Sequence, residues 1–342
     1  MKKYNPQGWK TSHRLTRIAL AVAMPLVTAQ TVAAQGIVPG TGQKVEVAGD
    51  DFEDPAWAYI PNLPKSSRNV DKNERFPTGF SQNRRWFEGA KRGQPDVVRR
   101  VETPEGGIPG STGSLLMHSL FTGRPNAPSH QMQQDDFLFK VNSQLGYSIP
   151  VSRSPNVVVR VLLPPFEEWE PKTGASFGFR ASVTAPSQKP RRRRGLAGLF
   201  SSRPRNKNEA YYPGMFIQFN SKADSQNETD SAAFIIRGND QGGDFMGPQI
   251  TETGWWTLGM SFTPDGRVHY YAHPGVEDLT QADHIASHFS QGVRCQVFNT
   301  YFFNVVNRDD GRTWSTPWII DDPALYWLHG NRDASLGPRM RR

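Results

Sequence analysis

Cysteine is almost missing from this 342-residue chain: Cys295 stands alone, which excludes a disulfide within it. Long hydrophobic runs are missing too. The longest, IALAVAMPLVTA at 18 to 29, is interrupted by Pro25 and falls short of the roughly 20 apolar residues that a membrane helix needs. No segment recurs at a period of roughly 20 to 50 residues, which argues against a propeller or solenoid. Apolar residues at helical spacing never persist beyond about three turns. Aromatic residues are absent between the clustered arginines 191 to 194, and together with the export signal described below this argues against a nucleic-acid partner.

What is abundant points to β structure. The chain has 31 Gly, 27 Pro, 20 Phe, 9 Trp and 9 Tyr, a composition that suits many short strands joined by turns. Lys2, Lys3, Lys10, Arg14 and Arg17 precede the apolar run and TVAA follows it, the pattern of an export signal over residues 1–34. Residues 35–48 read as a polar leader, 49–330 as one domain, and 331–342 as a basic tail. The expected product is exported, with no transmembrane segment in the mature chain, and acts in the periplasm, at the cell surface or outside the cell.

The formal charge of +8 is unevenly spread. Five positive charges belong to the signal. The segment 187–209, SQKPRRRRGLAGLFSSRPRNKNE, carries eight bases against one acid and leaves the remainder net acidic. Its Gly, Pro and Ser content and like charge predict a disordered insertion, one able to touch an anionic surface.

Strand patterns recur along the domain: 96–102, 113–121, 135–141, 156–164, 175–183, 214–220, 231–238, 255–262, 267–273, 296–306 and 318–328. Turn residues between them predict an all-β, two-sheet antiparallel sandwich or jelly roll. Residue parity then marks polar positions inside apolar strands. Arg160, Arg180, Gln218, Asn220, His269, Tyr271 and Asn304 would together form one polar floor across neighbouring strands. Guanidinium, amide, imidazole and phenol groups match the hydroxyls and carboxylates of a polysaccharide or another envelope polymer.

Other chemistry is less well provided for. Glu168 and Glu170 in EEWEP have the spacing of a paired-carboxylate glycosidase, but flanking prolines predict a loop. His284 and His288 lack the glutamate of an HExxH zinc helix and have no evident third ligand, and they read as a surface turn of helix. Ser111 and Ser114 lack the strand-turn-helix setting of a nucleophile elbow. Cys295, in the strand-like run VRCQVF, reads as a small buried hydrophobe.

Three stretches, DDFEDPAW, GWWTLGMSFTPDGRVHYYA and WIIDDPALYW, resemble secreted bacterial modules with the concanavalin A-like lectin/glucanase jelly roll, across residues 45 to 330. The resemblance implies that first and last strands lie side by side and that a concave face holds a saccharide. It also implies a structural calcium ion, for which Asp51, Glu53, Asp321 and Asp322 are the candidate ligands. The expected function is noncatalytic binding of carbohydrate. The alternatives are a polysaccharide-degrading enzyme, with a lyase using His269 and Tyr271 ahead of a hydrolase, or an envelope protein that adheres through its basic insertion.

Overall fold

A computed structural model describes residues 36–68, 72, 75–187, 208–224 and 226–328. The segment read as an export signal, most of 187–209 and the tail 331–342 lie outside the described residues.

The chain forms two antiparallel sheets packed face to face, as the strand pattern predicts. One has eight strands: β1 (Gln43–Gly49), β5 (Val97–Val101), β6 (Ser114–His118), β9 (Asn156–Leu163), β15 (Gly254–Phe262), β16 (Val268–Pro274), β17 (His284–His288) and β19 (Trp318–Trp327). The other has eleven: β2 (Tyr59–Ile60), β3 (Phe80–Ser81), β4 (Trp86–Glu88), β7 (Gln133–Phe139), β8 (Ile149–Pro150), β10 (Gly174–Pro186), β11 (Asn208–Tyr211), β12 (Gly214–Asn220), β13 (Ser231–Ile236), β14 (Phe245–Ile250) and β18 (Val297–Asn307). The described residues contain one short α-helix, α1 (Val141–Leu145).

Alternation along each strand builds the space between the sheets. Val157, Val159 and Val161 of β9 and Leu258, Met260 and Phe262 of β15 face Phe177 and Phe179 of β10 and Phe303 and Val305 of β18, all fully buried. Phe177 meets Trp318 at 4.9 Å and Phe262 meets Phe298 at 5.2 Å, so the two sheets interlock through aromatic pairs. Each such side chain contributes about 1.5–3 kcal/mol through removal from water. Trp86 anchors one end: it stacks on Phe137 at 4.8 Å and donates from Nε1 to Asp50 Oδ2 at 2.8 Å. Asp50 Oδ2 also accepts from Trp57 Nε1 and Asn83 Nδ2, so this buried oxygen is fully partnered.

Two local expectations change, and one tryptophan pair is resolved. Residues 35–48 are not merely a leader, because β1 pairs with β19 through Gln43↔Trp327 and Lys44↔Tyr326 and brings the first and last strands together. His284 and His288 lie in β17, an edge strand paired with β16, rather than in a turn of helix. Both Trp255 and Trp256 are buried: Trp256 packs inward on Phe234, while outward-facing Trp255 is covered by the turn at Gly106 and donates to the Glu105 carbonyl.

The basic insertion has a defined root. Strand β11 continues the ladder on β10, with Pro186 opposite Asn208 and Val183 opposite Tyr211, so Asn208 and Glu209 belong to the sheet rather than to the insertion.

Candidate functional site: the outer face of the eleven-stranded sheet

The outer face of β10, β12 and β18 gathers four of the seven residues assigned to the polar floor. Register sets the arrangement: Arg180 lies opposite Gly214 and Phe302, Gly178 opposite Phe216 and Asn304, and Ala175 opposite Gln218. Gly178 keeps the centre open. A Cβ there would meet the Phe216 ring at 2.7 Å and Asn304 Oδ1 at 2.9 Å.

Arg180 is only 9% exposed. Its guanidinium lies 5.2 Å from the Phe302 ring, 5.5 Å from Phe216 and 5.8 Å from Tyr212, while Nη2 donates to the Tyr212 carbonyl at 2.9 Å. Nε has no partner. Burial first, and then the neighbouring Arg237 charge, lower its pKa to about 10, which leaves it cationic at neutral pH. Asn304, fully buried, donates from Nδ2 to Asp136 Oδ1 at 2.7 Å, whereas its Oδ1 has no partner. A buried donor and a buried acceptor are thus left open on one face, each with a desolvation cost that a bound polar group would remove.

Beside this centre, and sharing Phe216 with it, is a pocket of about 240 Å³ lined by Arg92, Gln134, Phe216, Gln218, Arg237 and Met132 among others. Gln218 donates to Asn220 Oδ1 at 3.2 Å, and Asn220 to Ser231 Oγ at 3.3 Å. At the rim Arg237 pairs with Asp244 at 3.1 Å. Sequence reasoning missed Asp136, Gln134, Arg92 and Arg237. The alternation of Asp135 and Asp136 in QQDDFLF carried a signal, since only one of the two can face the core.

Arg160, His269 and Tyr271 do not join this floor. They lie on the outer face of the eight-stranded sheet, because β9 and β16 pair with β15 and not with β10 or β12. Parity tells which face of a strand a residue occupies, not which sheet owns the strand. His269 lies opposite Ser287 and Tyr271 opposite His284. Thr263 donates to Asp265 Oδ1 at 2.6 Å and lies 2.9 Å from His269 Nε2, while His269 Nδ1 lies 2.6 Å from Ser287 Oγ. Burial, then the His284 charge, depresses the His269 pKa to about 4, so the imidazole is neutral near pH 7. Gly36 roofs the pair: a Cβ there would lie 2.5 Å from Tyr271 Oη and 2.7 Å from His269 Nδ1. Val38 and Leu279 pack with Tyr271 in a separate apolar cluster on this face. Arg160 donates to Asp278 Oδ1 at 2.7 Å and to the Val276 carbonyl at 3.1 Å. The lyase arrangement of His269 and Tyr271 with Arg180, Gln218 and Asn304 is therefore not assembled.

The calcium ligand set is also not assembled. Glu53 and Asp321 do approach each other, but Ser111 Oγ bridges them at 2.9 Å to each. Glu53 accepts from Thr112 N and Oγ1, and the hydroxyl in particular holds its pKa below the usual carboxylate range. Asp321 accepts from Asp322 N at 2.8 Å, and burial raises its pKa to about 6. Asp322 faces Lys44 at 3.7 Å and Arg160 at 3.9 Å, and exposed Asp51 accepts from Glu53 N. Hydrogen-bond donors and cations occupy oxygens that a hard cation would require. Among the described residues no group of three or more His, Cys, Asp and Glu is placed to hold a metal.

The remaining candidates are structural. Glu170 is buried and accepts from Arg308 N and Nε, whereas Glu168 ends a 3-10 turn, so the two carboxylates share no strand face. Cys295 is buried, and burial pushes its thiol up to about 12, so it stays protonated near pH 7.

No protein-family model and no curated protein matches this chain. Among solved structures it is similar to the conserved carbohydrate esterase of Shiga toxin-encoding bacteriophage phi24B, at 10% identity and a TM-score of 0.40 over 72% of this chain and 91% of that one. An alginate lyase from Pseudomonas aeruginosa matches at 9% identity and 0.38, covering 69% of this chain and 87% of that one. The exoplasmic/lumenal domain of VIP36 in its Ca2+/Man2-bound form matches at 9% identity and 0.37, covering 84% and 92%. At these identities the likeness concerns the stacking of two sheets and transfers no residue role to this chain.

Proposed function

We propose that the chain is an exported, noncatalytic polysaccharide-binding protein whose ligand lies on the outer face of the eleven-stranded sheet and carries carboxylates. The observation that carries this reading is that two buried open valences, Arg180 Nε and Asn304 Oδ1, lie on the same sheet face as a pocket bordered by Arg92, Arg237, Gln134 and Gln218; Phe216, which lines the pocket, also packs against the Arg180 guanidinium. A guanidinium held by three aromatic rings is preorganised and already desolvated, so it favours an anionic partner over water. Amide groups beside it accept and donate to hydroxyls, and Phe216 offers an apolar surface to the C–H face of a sugar ring. A uronate unit supplies all three features.

The noncatalytic part of the proposal rests on the same geometry. His269 and Tyr271, the acid-base pair a lyase would use, are held on the other sheet. The test is titration calorimetry of the purified protein with a polyuronate and with a neutral glucan, alongside ultraviolet detection of unsaturated sugar ends. Saturable binding of the polyuronate alone, lost in Gln218→Ala and weakened by salt, is the expected result. Equal binding to both polymers would overturn the ligand class. Accumulation of unsaturated ends would overturn the noncatalytic assignment.

A further inference from the structure

Among the described residues, Lys65 is the one lysine counted with the largest fully buried side chains, at 1% exposure. It lies in the connection between β2 and β3, and its stem passes Gly93, where a Cβ would meet Lys65 Cδ at 3.0 Å and the Ser66 carbonyl at 2.7 Å. At its tip, Nζ lies 2.7 Å from Asp135 Oδ2, 2.9 Å from Asp96 Oδ1 and 3.1 Å from the Gln94 carbonyl. Asp135, in β7, is fully buried; Ser119 Oγ also donates to its Oδ2 at 2.8 Å, while Oδ1 has no partner.

Asp96 differs from Asp135 in being tied and partly wet. Its Oδ2 accepts from Leu120 N and Phe121 N, both at 2.7 Å, and its side chain is 24% exposed. The site thus contains a nucleophilic nitrogen, a dehydrated carboxyl within contact of it, and a second carboxylate that reaches both the nitrogen and solvent.

We propose that Lys65 and Asp135 become joined by an intramolecular amide bond, formed in the folded chain with Asp96 as the proton carrier. The reaction needs no external reagent. Asp96 accepts a proton from the Lys65 ammonium, and the freed lone pair forms the C–N bond at Cγ of the protonated Asp135. Asp96 returns its proton to the departing hydroxyl, which leaves as water. The surplus proton of the new amide passes through Asp96 to solvent.

Three physical conditions favour it. The reacting groups are held together by the 2.7 Å contact of Lys65 Nζ with Asp135 Oδ2, which converts a bimolecular condensation into a step of high effective molarity. Burial raises the Asp135 pKa well above the carboxylate range, which favours the neutral acid that an amine can attack; burial also works to lower the Lys65 pKa, but the adjoining Asp135 and Asp96 outweigh it and raise it, so Asp96 must take the ammonium proton before attack. Finally, a buried ion pair with an open oxygen is costly, while an amide carries no charge. The bond would tie the β2–β3 connection to β7 in a chain whose single cysteine excludes a disulfide.

The test is mass spectrometry of the full chain after denaturation, followed by a tryptic map. The expected result is a loss of one water, with trypsin failing to cut after Lys65 and a branched peptide containing both Lys65 and Asp135. Asp96→Asn, which keeps both reacting groups, should restore the unreacted mass. A wild-type digest that gives the unbranched peptide ending at Lys65 overturns the proposal whatever the variants do, and so does a water loss that maps to another aspartate.

Discussion

The two outer faces of the sandwich use the same kinds of residue to opposite ends. On the eleven-stranded sheet, arginine and amides line an open pocket, and on the same face Arg180 and Asn304 keep unfilled valences. On the eight-stranded sheet, arginine, imidazole and phenol are covered by Gly36 and Val38 from the N-terminal side and by Val276 to Leu279 from the loop after β16. Chemical type alone therefore does not mark a binding face. Cover does, because groups beneath Gly36, Val38 and Leu279 are shut off from a ligand in solvent.

Four experiments sharpen or break this contrast. The largest effect is expected from Arg180→Ala, which removes the desolvated cation from the open face: polyuronate affinity should fall by about 3 kcal/mol, roughly two decades, measured by calorimetry. An unchanged affinity would move the ligand elsewhere. Next is the pH response of the closed face. Because the folded protein holds His269 near pKa 4 while the unfolded chain titrates near 6.5, the unfolded state binds the extra proton first. Stability should be full above about pH 6.5 and fall by on the order of 2 kcal/mol as pH drops toward 4. His269→Gln should flatten that slope in urea titrations while polymer binding persists.

A smaller change is expected at the roof. Gly36→Ala places a methyl against Tyr271 and His269 and should cost about 1 kcal/mol of stability, read as a lowered Tm with polymer binding intact. Arg237→Ala acts on an exposed rim pair, so affinity should drop by only a few tenths of a kcal/mol, together with a shallower salt dependence.

The strand pattern was largely legible because burial imposes a period of two. All eleven apolar segments noted in the sequence fall on strands, and Arg180, Gln218, Asn220 and Asn304 share one face as parity requires. Which sheet each strand joins was not legible, since it depends on pairings between residues more than a hundred positions apart, such as Ser261 with Asn156 and Asp321 with Arg160. Hence Arg160, His269 and Tyr271 were grouped with the wrong neighbours. Strands with weak apolar contrast also escaped notice. Strand β14 contains Gly247 and Pro248, tolerated because it is an edge. Strand β17 has its two histidines at a spacing that a helix would share. The calcium set was legible only in part: the approach of Glu53 and Asp321 follows from terminal strand pairing, but the Ser111 and Thr112 donors that fill their oxygens here do not.

Pro186 and Asn208 face each other across the β10–β11 ladder, so the intervening stretch enters and leaves the sheet at points roughly 5 Å apart. Entropy of closure grows only slowly with added length at such a doorway. Fluorophores, affinity handles or whole modules can therefore be grafted between these two residues without disturbing strand register, giving a reporter site attached to the same strand that carries Arg180.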